Sequence, residues 1–261
     1  MPWDGCAADT SPVTGQGGSL TRALRILEAV SALGDGVTAK AIARRLGCPL
    51  PTVYRALGTL VEEGYLVRLN AVRGYGLGYK VAELHRGLTV QVRPPAVVRG
   101  LLHEVHDGVG AAAYLAVLRD VDVVVAHVDR CTEHPGALGL VAGDPAPAHA
   151  TALGKALLAG LAPAQLGEVL EGRVLTPFTA RTVADRRGLD RELRRIRASG
   201  AAVEVEEYHR GLAGIAVRVS AGGAQAAVGV AVSRAEFTAR RWELEHAVRE
   251  TADRVGRALA S

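Results

Sequence analysis

At Gly64 the apolar residues of this chain change their period, and that change restricts the fold more than any other feature. Before it, in "LPTVYRALGTLVEE", Val53, Leu57, Leu60 and Val61 fall on one helical stripe, with Thr52, Arg55 and Thr59 on the other side. After it, "YLVRL" and "YGLGY" alternate about the turn "NAVRG", a short β-hairpin with Asn70 and Arg73 at its tip. Upstream, "TAKAIARRLG" starts at Thr38 as N-cap, turns Ala41, Ile42 and Leu46 inward and stops at Gly47. Pro51 then stands in the first turn of the next helix, where a missing N–H costs nothing. Two short helices about a tight turn make a helix-turn-helix, and the hairpin behind them makes a wing. An earlier helix is expected from Ser19 as N-cap, with Leu20, Ala23, Leu24, Leu27 and Val30 at helical spacing.

Charge gives this module a candidate partner. From Ser19 to Leu88 there are ten basic and five acidic residues, a surplus of +5, whereas the whole chain carries +4. A cationic surface confined to one short module suits a phosphate backbone, because neutralising phosphates releases counterions and supplies sequence-independent affinity. An ordinary basic surface has the same composition, so charge alone does not decide. A protein-binding adaptor would use the same helix face.

The second half reads differently. Residues 1–18 are rich in Gly, Ser, Thr and Pro without periodicity and are expected to be a flexible tail. Residues 19–79 form the winged module, 80–92 a linking helix and 93–261 a second domain after "VRPP". In that domain Val97, Leu101, Leu102 and Val105 outline a helix, and "AAAYLAVL" and "DVVVAHVD" a hairpin. Helices are expected over 151–161, capped by Thr151, over 163–170 and over 186–198. Strands follow over 212–220 and 225–233, and a long helix from about Glu236. Because the strands come as hairpins, the fold class is α+β, an antiparallel sheet with flanking helices. Its 49% apolar content can build such cores, mainly from Ala, Val and Leu since aromatics are only 4%. No apolar run approaches the ~20 residues of a membrane span and the first residues have no signal pattern, so a cytoplasmic protein is expected. Cys6, Cys48 and Cys131 are far apart and read as free thiols.

At this point the chain resembles the IclR-type transcriptional regulators of bacteria. The likeness rests on "SLTRALRILEAV", "PTVYRALGTLVEEGYL" and "YGLG", then on "PAPAHATALGKALLAGL", "ASGAAVEVEEYHRGLAGIAV" and "VGVAVS" in that order. It implies a DNA-binding winged helix joined to a GAF-like effector domain, acting as a homodimer or a dimer of dimers, more often as a repressor. Thr52, Tyr54 and Arg55 are then expected at bases or nearby phosphates, with Arg44, Arg45 and Arg73 on the backbone. Pro51 replaces a small polar residue frequent in the family and leaves one contact fewer.

By the same resemblance a small-molecule pocket involves Ala152, Leu153, Glu204, Leu212, Gly214, Ala231 and Ser233. Relatives that bind small oxoacids tend to offer a Cys near Gly214 and a Ser at Ala231, so this pocket suits a larger or less polar ligand. Glu204 replaces a shorter Asp and, ionised, would oppose a carboxylate. Arg218 stands where the family commonly has proline, and alternation puts it on the strand face of Gly214, where it would offer a cation to an acidic ligand.

Other motifs carry weaker chemistry. His127, Cys131 and His134 have a zinc-like spacing, and a metal-dependent sensor or enzyme built on the second domain is the alternative reading. The glycines at 74, 76 and 78 lack the third glycine and the preceding strand of a dinucleotide site. "LGK" at 153–155 lacks the Gly that a phosphate loop would need at 149, so Lys155 is expected at an interface. No GxSxG elbow occurs, and "EEYHRG" gathers acids and a His without assigning them roles. No cofactor, metal or catalytic residue is therefore expected.

Overall fold

A computed structural model describes residues 18–137, 139–221 and 224–260, and it divides into two compact units that meet in sequence at Gly87 and Leu88. Of the tail expected over 1–18, residues 1–17, with Cys6, lie outside the described residues.

The first unit contains α1 (Ser19–Leu33), α2 (Ala39–Leu46), α3 (Leu50–Glu62), β1 (Leu66–Leu69) and β2 (Gly74–Leu77), followed by α4 (Tyr79–Val92), which continues into the second unit. Thr38 caps α2 by accepting the Ala41 N–H at 3.3 Å, and Gly47 ends it in a left-handed conformation. Ile26, Val30, Ile42, Val53, Leu57 and Leu66 close one core beneath the antiparallel pair β1–β2. At Gly74 an added Cβ would sit on the Gly36 carbonyl, so the wing can approach the α1–α2 loop only without a side chain. That close approach explains one of the glycines that imitate a nucleotide motif.

Two expectations here need correction. Ser19 is inside α1 and Gly18 takes the cap position without a side-chain bond. The inward face of α1 is Ile26, Ala29 and Val30, while Leu20 and Leu24 are exposed, because the first turns of α1 run past the small core. The linking helix starts one residue before the expected 80–92 and ends at Val92, just before "RPP", where helical backbone is disfavoured ahead of proline.

In the second unit the strands β3 (Ala112–Arg119), β4 (Asp122–Asp129), β5 (Ala202–Val205), β6 (Leu212–Ala221) and β7 (Ala224–Ser233) form one antiparallel sheet in the order β4-β3-β7-β6-β5. Strand alternation sends Tyr114, Ala116, Ala216 and Ala227 to a core shared with α6 (Ala152–Ala159), α7 (Pro163–Leu170) and α8 (Arg186–Ser199). It sends Leu115, Ile215, Val228 and Val230 to the opposite core, under α5 (Ala96–Val109) and α9 (Arg234–Ala260). In α5 Leu101, Leu102 and Val105 are buried as expected, but Val98, fully buried, takes the place expected of Val97, which is 56% exposed. A kink in α9 at Arg240 coincides with a 2.7 Å bond from its guanidinium to the Val109 carbonyl, which ties α9 to the end of α5.

Candidate nucleic-acid interface and ligand pocket

Helix α3 is built to show its polar face. Val53 and Leu57 are fully buried, which forces the residues between them outward: Tyr54 is 51% exposed, Arg55 is exposed and Thr52 half-buried. Arg44 and Arg45 occupy the last turn of α2, and Arg73 the wing tip with φ +50°. All four arginine side chains are exposed and make no hydrogen bond or ion pair with another described residue. Two other cations of this unit are engaged. Arg68 reaches the Tyr75 hydroxyl at 3.5 Å, and Lys80 lies 5.7 Å above the Tyr65 ring. Among the sequence-expected contacts, then, the structure gathers an uncommitted cationic set on α2, α3 and the wing, and Pro51 contributes only its place in the first turn of α3.

The second unit holds a cavity of about 20 Å3 between the sheet and the start of α6. Ala152, Leu153, Glu204, Leu212, Gly214 and Ala231 converge on it as expected, with Tyr114, Thr151, Tyr208 and His209 completing the wall. Thr151 caps α6, its hydroxyl oxygen accepting the Gly154 N–H at 3.1 Å, and so fixes the helix start against the cavity. Tyr114 is buried, its hydroxyl accepts the Ala137 N–H at 2.8 Å, and burial raises its pKa. These wall residues were legible only in part, since a strand tyrosine and a cap threonine look like core and cap in sequence.

Two expected pocket residues do not line it. Arg218 does share the strand face of Gly214, but it lies four residues further along β6, roughly 13 Å away at strand rise. There its side chain covers Gly160 at the end of α6, where an added Cβ would collide with it. Ser233 instead joins Glu236 in a reciprocal cap at the start of α9, accepting the Glu236 N–H at 3.2 Å while its own N–H reaches the Glu236 carboxylate at 3.0 Å.

Behind the pocket the charges are tightly organised. Glu204 is only 7% exposed and its Oε2 accepts the Glu207 N–H at 3.0 Å. Burial pushes its pKa up to about 7 and the Glu207 carboxylate adds to the rise, against the backbone bond and Lys155, which lower it. Lys155 is not at an interface within the chain's surface: it is completely buried, donating to the Val203 carbonyl at 2.8 Å and to Glu207 Oε1 at 2.7 Å, with Glu192 of α8 at 3.6 Å. Burial raises the pKa of Glu207 as well, with Lys155 acting against it. The loop after β5 is thereby pinned from both ends, since Glu206 faces outward to Arg234 at 2.9 Å and Arg181 at 3.3 Å.

The zinc-like spacing does not become a cluster. His134 meets the ring of His106 edge-on at 6.2 Å, Cys131 is exposed, and His127 stands in β4 opposite Leu115. Among the described residues no three His, Cys, Asp or Glu side chains stand close enough to hold one metal ion. The residues of "EEYHRG" likewise point to different partners rather than to one centre.

With this geometry described, comparison with known proteins is informative. Residues 19–70 match the family model of the IclR helix-turn-helix domain, and residues 92–257 match that of the bacterial transcriptional regulator IclR C-terminal domain. The chain is similar to the HTH-type transcriptional regulator Rv1719 of Mycobacterium tuberculosis, 32% identical over 232 residues, covering 88% of this chain and 87% of that protein. It is also similar to the probable transcriptional regulator SauR of Cupriavidus necator, 31% identical over 212 residues, covering 81% and 83%. Among solved structures, an IclR homolog of Microbacterium hydrocarbonoxydans complexed with 4-hydroxybenzoate superposes with a TM-score of 0.69 at 26% identity, covering 92% of this chain and 98% of the other.

Proposed function

The chain belongs to the IclR family of bacterial transcriptional regulators, and from that premise we propose a specific division of labour between its parts. It is a DNA-binding regulator with a C-terminal ligand-binding domain. In the proposed reading, residues 19–79 bind the operator, 80–92 link, and 93–261 receive the effector. Thr52, Tyr54 and Arg55 meet base edges or nearby phosphates in the major groove, and Arg44, Arg45 and Arg73 hold the backbone. The observation that carries this is the exposure of Arg55 on a helix whose other face is fully buried, with no partner for its guanidinium among the described residues. Arg is suited to both acceptors of guanine, which is why Arg55 is assigned to readout rather than to simple attraction.

The pocket beside Glu204 is the proposed effector site. Its volume holds about one water, so a metabolite-sized ligand requires the wall of the pocket to open. A ligand that prefers the opened form shifts the population between arrangements with different operator affinity. The 4-hydroxybenzoate complex of the Microbacterium homologue supports a small molecule in this role. We assign the protein to the cytoplasm, as a homodimer or dimer of dimers on a pseudo-palindromic operator, acting as a repressor. Family membership supports these assignments, and the relatives' regulatory roles favour this reading over a metal-dependent or enzymatic one.

The test is a duplex-binding assay with sequences selected from random DNA by the purified protein, run with and without metabolites that raise its melting temperature. Binding to the selected duplex that weakens or strengthens with such a metabolite supports the reading. Metabolites that stabilise the protein yet leave DNA binding untouched count against it.

A further inference from the structure

We propose that the pocket binds a carboxylate together with one proton, which Glu204 takes from solvent and shares with the acid group of the ligand. This deepens the effector-site reading and rests on it. Donors for an anion and a buried acid line the same cavity. Ala152 and Leu153 reach it from the first turn of α6, where their N–H groups have no carbonyl to serve within the helix. The Thr151 cap accepts only the next one, from Gly154. Tyr114 adds a hydroxyl whose oxygen accepts the Ala137 N–H, which leaves its own proton to donate, and burial keeps that proton on. Glu204 of β5 stands opposite Gly214 of β6 and is 7% exposed. A Cβ at Gly214 would lie 3.4 Å from Glu204 Oε1 and 3.6 Å from the Ala152 side chain, so the acid and the start of α6 border one gap.

A carboxylate held by the start of α6 therefore brings a second negative charge beside Glu204. Two such groups in one desolvated site do not both ionise. The cations of the adjoining elements are committed elsewhere. Lys155 of α6 is spent on the Val203 carbonyl and on the carboxylates of Glu207 and Glu192, and Arg218 of β6 lies over Gly160. A proton on Glu204 restores the balance without breaking any of these pairs, and it turns the acid from a repelling group into a donor.

Glu204 is already poised for this. Burial pushes its pKa up to about 7 and the Glu207 carboxylate adds to the rise, while the N–H groups of Glu207 and Tyr208 and the charge of Lys155 act the other way. The remaining groups around it are Tyr114 from β3, His209 at the rim and Glu192 of α8, which meets it through Lys155. A bound carboxylate raises the pKa further. Affinity is therefore greatest below about pH 7, where Glu204 carries its proton before binding, and falls above it, where the proton must be taken up.

The experiment is calorimetric titration of the full chain with 4-hydroxybenzoate, benzoate and butyrate at about pH 6 and pH 8, the latter in HEPES and in Tris, whose different ionisation heats count the protons taken up. For a probe that binds, the wild type is expected to bind about tenfold more weakly at the higher pH and to take up close to one proton there. Glu204→Gln, checked for folding by its melting curve, keeps a neutral donor in place. It is expected to bind within about threefold of the wild type at the lower pH and to lose the pH dependence. Uptake of less than about half a proton by the wild type at the higher pH, a result that needs no variant, overturns the inference. So does an unchanged pH dependence in Glu204→Gln, which would assign the proton to another group such as His209. Both results leave the effector site standing. If none of the three probes binds at the lower pH, the inference falls, and the metabolite screen by melting temperature decides the effector-site reading separately.

Discussion

Helices α3 and α6 each carry a single cation, Arg55 in one and Lys155 in the other, and the chain treats the two in opposite ways. Helix α3 buries only the stripe Val53, Leu57 and Leu60, which leaves Arg55 exposed and uncommitted. Every residue of α6 is buried, and Lys155 is satisfied by a carbonyl and two carboxylates inside the unit. A charge left open at a surface can serve an external polyanion, whereas a charge closed inside a unit fixes the elements around it. The difference between the two helices follows from the width of their apolar stripes, not from which cation they carry.

Removing the inner charge is expected to have the largest effect. Lys155→Met leaves Glu207 partly buried without its partner, and breaking such a pair costs about 3–5 kcal/mol. Denaturant unfolding measures it, and a loss below about 1 kcal/mol would mean that Lys155 does not anchor the loop after β5. Next comes Glu204. Its folded pKa of about 7 lies above its ordinary value of 4.5, so the folded state keeps a proton that the unfolded chain has released. Its stabilising contribution is complete below about pH 4.5 and is lost as pH rises to about 7, a change on the order of 3 kcal/mol. Glu204→Gln should flatten the stability profile across that window, as followed by unfolding at a series of pH values.

Outer charges are expected to act on binding alone. Arg55→Ala should weaken operator binding by about 1–3 kcal/mol and relax base preference, with the melting temperature unchanged. Arg44→Ala, Arg45→Ala and Arg73→Ala should each lower affinity for all duplexes alike and reduce the slope of log K against log salt by about 0.9. A stability loss in this set would break the contrast between the two helices, because it would give these cations a partner inside the fold.

The same contrast explains what the sequence made legible. Thr38, Gly47 and the wing hairpin could be read because caps, left-handed glycines and alternation are local, and α7 (Pro163–Leu170) was read with its bounds because Pro163 sets its start. Strand β5 was not read, since four residues at a sheet edge carry too little periodicity to separate from a loop. The one-residue error at Val97 and Val98 arose because adjacent valines satisfy a helical stripe equally well until the sheet beneath α5 selects one. For Arg218, face parity was right but distance along the strand was not considered, and for Ser233 the reciprocal bond to Glu236 is a second use of the same residue. Lys155 was unreadable as a core residue because its partners come from Val203, Glu207 and Glu192, 37 to 52 positions away in sequence.

One measurement bears most directly on the outward face of α3: affinity for the selected operator duplex and for a scrambled duplex, across a salt series, for the wild type and Arg55→Ala. The expected result is an affinity that falls linearly in log salt for both duplexes, with the preference for the operator largely lost in Arg55→Ala. Wild-type preference retained in Arg55→Ala, or an affinity indifferent to salt, would contradict the assignment of this face to DNA.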